Sequence, residues 1–282
     1  MNKILIITCA LLTILTCVYW LSVNEKKDVE SITYFPPDTK ARFLDAETSI
    51  RNIKINHDQF TYTVQTYSRT NEPAYLRQDI SMIFVNGRLT GKTGDWKENT
   101  GEIRASGQFS GSGRQMIRTI SFHHGEFHRN NDKITGFHRM SGDYIYVIPD
   151  EELFFRKPGH GEEKWKELLD KREKSVINDV LERLDGIRTE HYVIIPLTGL
   201  TEYIDKPLPS FTKVQSDAII GRLWEGLYKN YFLGIRKESG AVESPEGTTI
   251  PLILLSKDKS HLYVVFETKS KEIIILKQLI PG

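Results

Sequence analysis

Cysteine is nearly missing from this 282-residue chain: there are two, Cys9 and Cys17, both inside one apolar N-terminal run. The rest of the chain therefore cannot form stray disulfides, which suits an oxidising compartment. A dominant charge sign is also missing. With 38 Lys and Arg against 37 Asp and Glu, the net charge is +1 and no global field points toward nucleic acid. No Asn-x-Ser/Thr triplet occurs, so nothing hints at glycosylation. No exact repeat is visible, and no catalytic motif stands out.

What is present begins at Ile4. From there to Val23, twenty consecutive residues carry no formal charge. At about 1.5 Å per helical residue they reach about 30 Å, the thickness of a bilayer's hydrocarbon core. Tyr19 and Trp20 sit near the far end, where amphipathic rings favour the headgroup boundary, and Asn24-Glu25-Lys26-Lys27 closes the run. A cleavable signal has an apolar stretch of only ~7–15 residues followed by small residues. Here Tyr19-Trp20-Leu21 is bulky at that place, and Thr16 is a poor neighbour for a lipidated Cys17. An uncleaved anchor is the expectation. Flanking lysines alone favour a cytoplasmic body, but large domains translocate largely regardless of flanking charge. The expected arrangement is a single-pass protein of the cell membrane with its body outside the cytoplasm.

The body has the composition of a folded chain, with 39% hydrophobic and 10% aromatic residues. Residues 1–3 are expected as a short cytoplasmic tail, 4–23 as the transmembrane anchor and 24–48, with Pro36-Pro37, as a stalk. Residues 49–158 read as an antiparallel β domain. Short strands are expected at Ile50–Ile55, Phe60–Val64, Ile80–Val85, Arg88–Lys92, Glu102–Phe109, Gln115–Phe122, Ile134–Met140 and Tyr144–Ile148. Asn86-Gly87 is the strongest hairpin signal among them, and Gly111-Ser112-Gly113, Asn130–Asp132 and Ser141-Gly142 act as breakers. A sandwich or partly closed barrel follows from that spacing.

Residues 159–282 change period. Glu162–Leu184 and Ser216–Ile235 read as long helices, with strands at Tyr192–Leu197, Ile250–Leu255, Leu262–Glu267 and Ile273–Leu279. The fold class is α+β: an N-terminal transmembrane helix, a β meander, then two long helices with a small antiparallel sheet. Trp224, Tyr228, Tyr231 and Phe232 make an aromatic stripe whose helical spacing predicts core. The Ile273-Ile274-Ile275-Leu276 run, apolar on both faces, predicts a covered strand.

Half of the eight histidines, His123, His124, His128 and His138, lie close together. If 126–129 pairs with 133–140, His124 opposes His138 and Glu126 follows on the same face, a set able to hold zinc or iron. A one-residue slip breaks the set. Residues 103–140 also carry Arg104, Arg114, Arg118, Arg129, Lys133 and Arg139 against only Glu126 and Asp132. That cationic face suits an anionic envelope polymer or lipid headgroups, or else neutralises the acidic stretch that follows. Other short matches fail on context. Ser256-Lys257-Asp258-Lys259 and Lys92-Thr93-Gly94 stand in the wrong order for a penicillin-binding enzyme, and residues 107–113 lack a nucleophile elbow.

The leading expectation is a membrane-anchored, non-enzymatic envelope protein with no cofactor and no nucleic acid, whose body binds another envelope protein or an anionic component. The alternative is a metal-dependent hydrolase using His124, Glu126, His128 and His138. A weaker possibility is a sensor switched by protonation of the histidines.

Overall fold

Alternation of side chains along the strands runs further than the turn residues suggest. The computed structural model describes residues 32–129, 133–237 and 240–281, so the expected tail, the anchor and the start of the stalk lie outside them. Strands β1 (Phe43–Asn56), β2 (Gln59–Val85), β3 (Arg88–Ser112), β4 (Gln115–Arg129), β5 (Lys133–Ile148) and β6 (Leu153–Phe155) form one antiparallel sheet. β3 pairs along the whole of β2, whose other edge is shared by β1 over 59–70 and β4 over 76–85. Phe60–Val64 and Ile80–Val85 are thus two ends of one 27-residue strand. The short strands expected in β3 and β5 are likewise joined. Ser141-Gly142 does not break β5, because Ser121 and Ile120 of β4 stay paired opposite them.

The long strand bends. Its register with β3 slips between Arg69 and Ala74, around Glu72-Pro73. An odd slip exchanges the two faces of a strand. Tyr62, Val64, Thr66 and Ser68 point inward before the slip, and Asp79, Ser81 and Ile83 after it. The two halves of β2 therefore face each other, and Ser68 Oγ donates to Asp79 Oδ2 at 2.7 Å. The sheet curls into a half-barrel, the partly closed form anticipated from turn spacing. One end of its interior is apolar, built from Tyr62, Val64, Ile83, Ile117 and Ile145.

β1 and β5 meet across the open side without backbone pairing. Ile50 N–H donates to Asp143 Oδ2 at 2.8 Å, and Arg156 Nη2 donates to Ile50 O at 2.8 Å while also bonding Asp143. Side chains here satisfy edge groups that a ladder would normally use.

The outer face of the half-barrel is buried by the second half of the chain. Helix α1 (Glu163–Glu182) lays Trp165 and Leu169 on Met116 and Tyr146, then Val180 on Leu252 and Leu254. Helix α2 (Lys213–Leu227) starts at Thr212, whose capping box with Gln215 fixes the entry three residues before the expected start, and continues into a π turn at Tyr228–Phe232. A second sheet runs β12 (Ile273–Leu279), β11 (His261–Glu267), β10 (Leu252–Ser256), β7 (Tyr192–Pro196), and β8 (Ile235–Arg236) pairs with β9 (Val242–Glu243). Trp224, Tyr228 and Tyr231 are buried, as helical spacing predicts.

Three expectations change. Ile80, Met82, Ile120 and Phe122 share one apolar cluster with Leu223, Trp224, Ile253 and Phe266, so residues 32–282 form one unit and not two domains split at 158. The described part of the stalk, 32–48, is docked: Ile32 is 1% exposed in that cluster, and 43–48 belong to β1. Apolar Ile32, Tyr34 and Phe35 outweigh the charges that suggested a tether. Finally, β12 is an edge strand: Ile274 and Leu276 are covered on one face, and on the other Ile273 is partly covered while Ile275 and Leu279 are exposed.

Two glycines of α2 make a paired test. A Cβ on Gly221 would lie 2.5 Å from the Tyr34 ring and 2.9 Å from His138 Cε1, whereas a Cβ on Gly226 meets nothing within 4 Å. Gly226→Ala is expected to gain up to about 1 kcal/mol from helix propensity. Gly221→Ala is expected to lose stability despite the same propensity gain. Thermal unfolding of the two variants checks the difference in sign.

Candidate functional site

β4 has two buried faces, and each carries a histidine with different company. On the inner face, His123 Nδ1 bonds Asp79 Oδ2 at 2.8 Å and its Nε2 bonds Ser141 Oγ at 2.7 Å. Chain proximity does not bring them together: β2 and β4 pair across a sheet edge, with Asp79 opposite His123. An Asp–His–Ser chain is the geometry of a serine nucleophile. Here the serine is one member of a buried hydroxyl chain: Ser141 Oγ also meets Thr48 Oγ1 at 2.6 Å, and Thr48 donates to Ser121 Oγ at 2.6 Å. Asp79 and His123 are fully buried, and Ser141 is 9% exposed.

This interior is a structural polar network. Arg77, also fully buried, donates to His124 O at 3.2 Å, Thr70 Oγ1 at 3.1 Å and Ser68 Oγ, with Phe43 and Phe137 against its guanidinium. Burial lowers its pKa, and the Asp79 carboxylate 3.6 Å away opposes that shift.

On the outer face, His124 and His138 stand opposite each other in the β4–β5 ladder, in the register that the loop position predicts. Both stack on Phe122. Burial holds the His124 imidazole down to about 3, with His138 and Arg77 adding repulsion. His138 is held down to about 4, again by burial first, with Asp217 opposing the shift and Lys213 adding to it. His124 Nε2 is buried without a partner among the described residues and borders a void of about 10 Å³, room for roughly one water.

Glu126 lies on the same face two residues on, but it accepts from His128 Nε2 at 2.8 Å, and His128 stacks on exposed Tyr75. The histidine cluster thus divides between interior, outer face and rim. Among the described residues no group of three His, Cys, Asp or Glu side chains is placed to hold a metal.

Above His138 lies a cavity of about 280 Å³. One wall is the docked segment of Tyr34 and Phe35, held by Tyr34 N–H to Glu225 at 3.2 Å and Gly136 N–H to Pro36 O at 3.0 Å. Opposite stand Tyr203 to Asp205 and the first turns of α2. Lys213 Nζ donates to Asp217 at 2.6 Å and Ile204 O at 2.7 Å, and Arg139 meets Asp205 at 3.4 Å on the rim. Among the described residues no hydrogen bond to either ring nitrogen of His138 is found.

Most of the expected cationic face is neutralised. Arg114 pairs with Asp150, Arg118 with Glu173 of α1 at 3.0 Å, Arg129 with Asp38 at 2.8 Å and Glu72 at 2.7 Å, and Arg139 with Asp205. Arg129 holds the Asp38 carboxyl well below its usual range. Arg104 lies over Tyr67, and Lys133 is exposed. No family model matches the chain, and no curated protein matches it.

The two outer-face histidines set a pH dependence. Each starts from 6.5 unfolded and is lowered on folding, so acid favours the unfolded chain. Their contribution is complete above pH 6.5 and declines as pH falls toward 4. Between pH 6 and 5 each histidine is expected to remove up to about 1.4 kcal/mol per pH unit. Urea unfolding of wild type and of His124→Leu/His138→Phe at pH 5, 6 and 7 checks this, the variant having the flatter slope.

The cavity was not foreseen because Tyr34, Phe35 and Tyr203 come from segments that read as stalk and connection. The Asp79–His123–Ser141 chain had one signal: Arg77, Asp79, Ser81 and Thr119, Ser121, His123 are polar at alternate positions in otherwise apolar strands.

Proposed function

We propose that this is a membrane-tethered binding protein, its anchor at 4–23 and its body displayed outside the cytoplasm, with the cavity over His138 taking the partner. The observation that carries the binding reading is that cavity, walled by four separate chain segments and floored by a histidine whose ring nitrogens have no hydrogen bond among the described residues. Pockets of this kind, apolar walls with a few convergent polar groups, are the common form of ligand sites. The tether rests on the uncharged run Ile4–Val23. No helix among the described residues is long and apolar enough to cross a membrane, so the first 23 residues alone carry that part.

An anionic polymer or headgroup is a weaker partner than sequence charge suggested, because four of the six cations already face carboxylates. Carbonate extraction and protease shaving of intact cells test the tether. The full chain is expected in the membrane pellet with its body cleaved from outside. A chain recovered in the soluble fraction overturns it.

A further inference from the structure

The ionic groups around the cavity are already matched to each other. Lys213 and Asp217 form one close pair and Arg139 and Asp205 a looser one, so the lining carries two positive and two negative charges. A ligand with net charge would compete with one member of a pair, whereas an uncharged one leaves both pairs as they stand. What stands unused is neutral or singly available. His138, uncharged near neutral pH, offers one N–H and one acceptor nitrogen. Lys213 has spent two of its three N–H groups, on Asp217 Oδ1 and Ile204 O. Tyr34 keeps its phenol protonated, since burial raises its pKa, and so can both give and take a hydrogen bond.

A mixed set of single donors and acceptors suits groups that do both at once. Hydroxyls are the plainest such groups. Aromatic side chains of the wall, Tyr34 and Tyr203 among them, suit the C–H face of a saturated ring. At about 280 Å³ the cavity admits one ring with its substituents and not an extended chain.

We infer that the cavity binds one uncharged, hydroxyl-bearing ring, a single neutral sugar residue of a glycan. This deepens the binding reading given above and rests on it.

The test uses the full chain in nanodiscs, with ¹⁵N-histidine NMR reporting on His138 and saturation-transfer difference NMR reporting on the probe. The probes are neutral trisaccharides (maltotriose, mannotriose and the β-1,4 N-acetylglucosamine trimer), a glucuronate-containing trisaccharide, and p-cresol as an uncharged aromatic. At least one neutral trisaccharide is expected to shift His138 and receive saturation in one terminal ring. Affinity is expected to fall about 10-fold in Lys213→Met, the loss of one charge-assisted hydrogen bond. His138→Phe, which keeps the ring and removes both nitrogens, is expected to do the same, while Lys133→Ala leaves affinity unchanged. Near-UV circular dichroism confirms that each variant is folded. Preference for the glucuronate probe, or response to p-cresol alone, overturns the neutral-sugar assignment and leaves cavity binding standing. No response to any probe overturns both.

Discussion

Asp79→Ala is expected to remove about 3–5 kcal/mol of folding stability, the cost of stranding buried charge. The change takes away the acceptor of His123 Nδ1 at 2.8 Å and of Ser68 Oγ at 2.7 Å. It also leaves the guanidinium of Arg77, with no exposed surface, without its only nearby carboxylate among the described residues. Asp79→Asn keeps a hydrogen-bond acceptor and loses the charge, so its loss is expected to be smaller. Urea unfolding of the full chain in detergent at pH 7 measures both. A loss below about 1 kcal/mol for Asp79→Ala would place that carboxylate outside the stabilising network. Ser141→Ala, by contrast, removes one hydroxyl from a chain that continues through Thr48, Ser121 and Ser81, with a cost of only about 1 kcal/mol.

Trp224→Ala is the second large loss, about 3–5 kcal/mol for a buried aromatic truncated to a methyl. Its ring lies on Phe122 at 4.8 Å between centroids, and it joins the half-barrel's outer face to α2 and the second sheet. Because those layers share one cluster, the variant is expected to unfold in one transition at lower denaturant. Trp96 lies in β3 and Trp165 in α1, one in each expected domain, so fluorescence and near-UV circular dichroism should move together. Two separated transitions would contradict a single unit.

Much of the local structure was legible. Asn86-Gly87 turns with positive φ at both positions (47° and 86°), as its hairpin signature requires. The apolar period of α1 buries Leu169 and Val180, while Leu168 stays exposed. His124 meets His138 because a short loop leaves little freedom in register. Less legible was anything decided by pairing between strands that are not neighbours in sequence. Asp79 finds His123 because β4 returns to the edge of β2 that β3 does not occupy, and no loop length encodes that.

The alternation in β2 and β4 was a further trap. Serines, threonines and charges at every second position normally mark a solvated face. Here they mark the inside of a half-barrel, because the outer face is even more apolar and is taken by α2 and the second sheet. Ile32 and Tyr34 were obscured for another reason: two prolines and scattered charges gave their segment the composition of a linker. A few well-placed apolar contacts decide docking, and composition averages them away.

The join between β1 and β5 determines how this body can breathe. Pulling those two strands apart at Thr48–Ile50 breaks ionic and hydroxyl contacts but no rung of a ladder. Separating other neighbours in that sheet ruptures several amide bonds together. Widening of the girth along this line costs the packing of Ile50 in the interior but spares every ladder, and it would admit solvent to the hydroxyl-lined space behind.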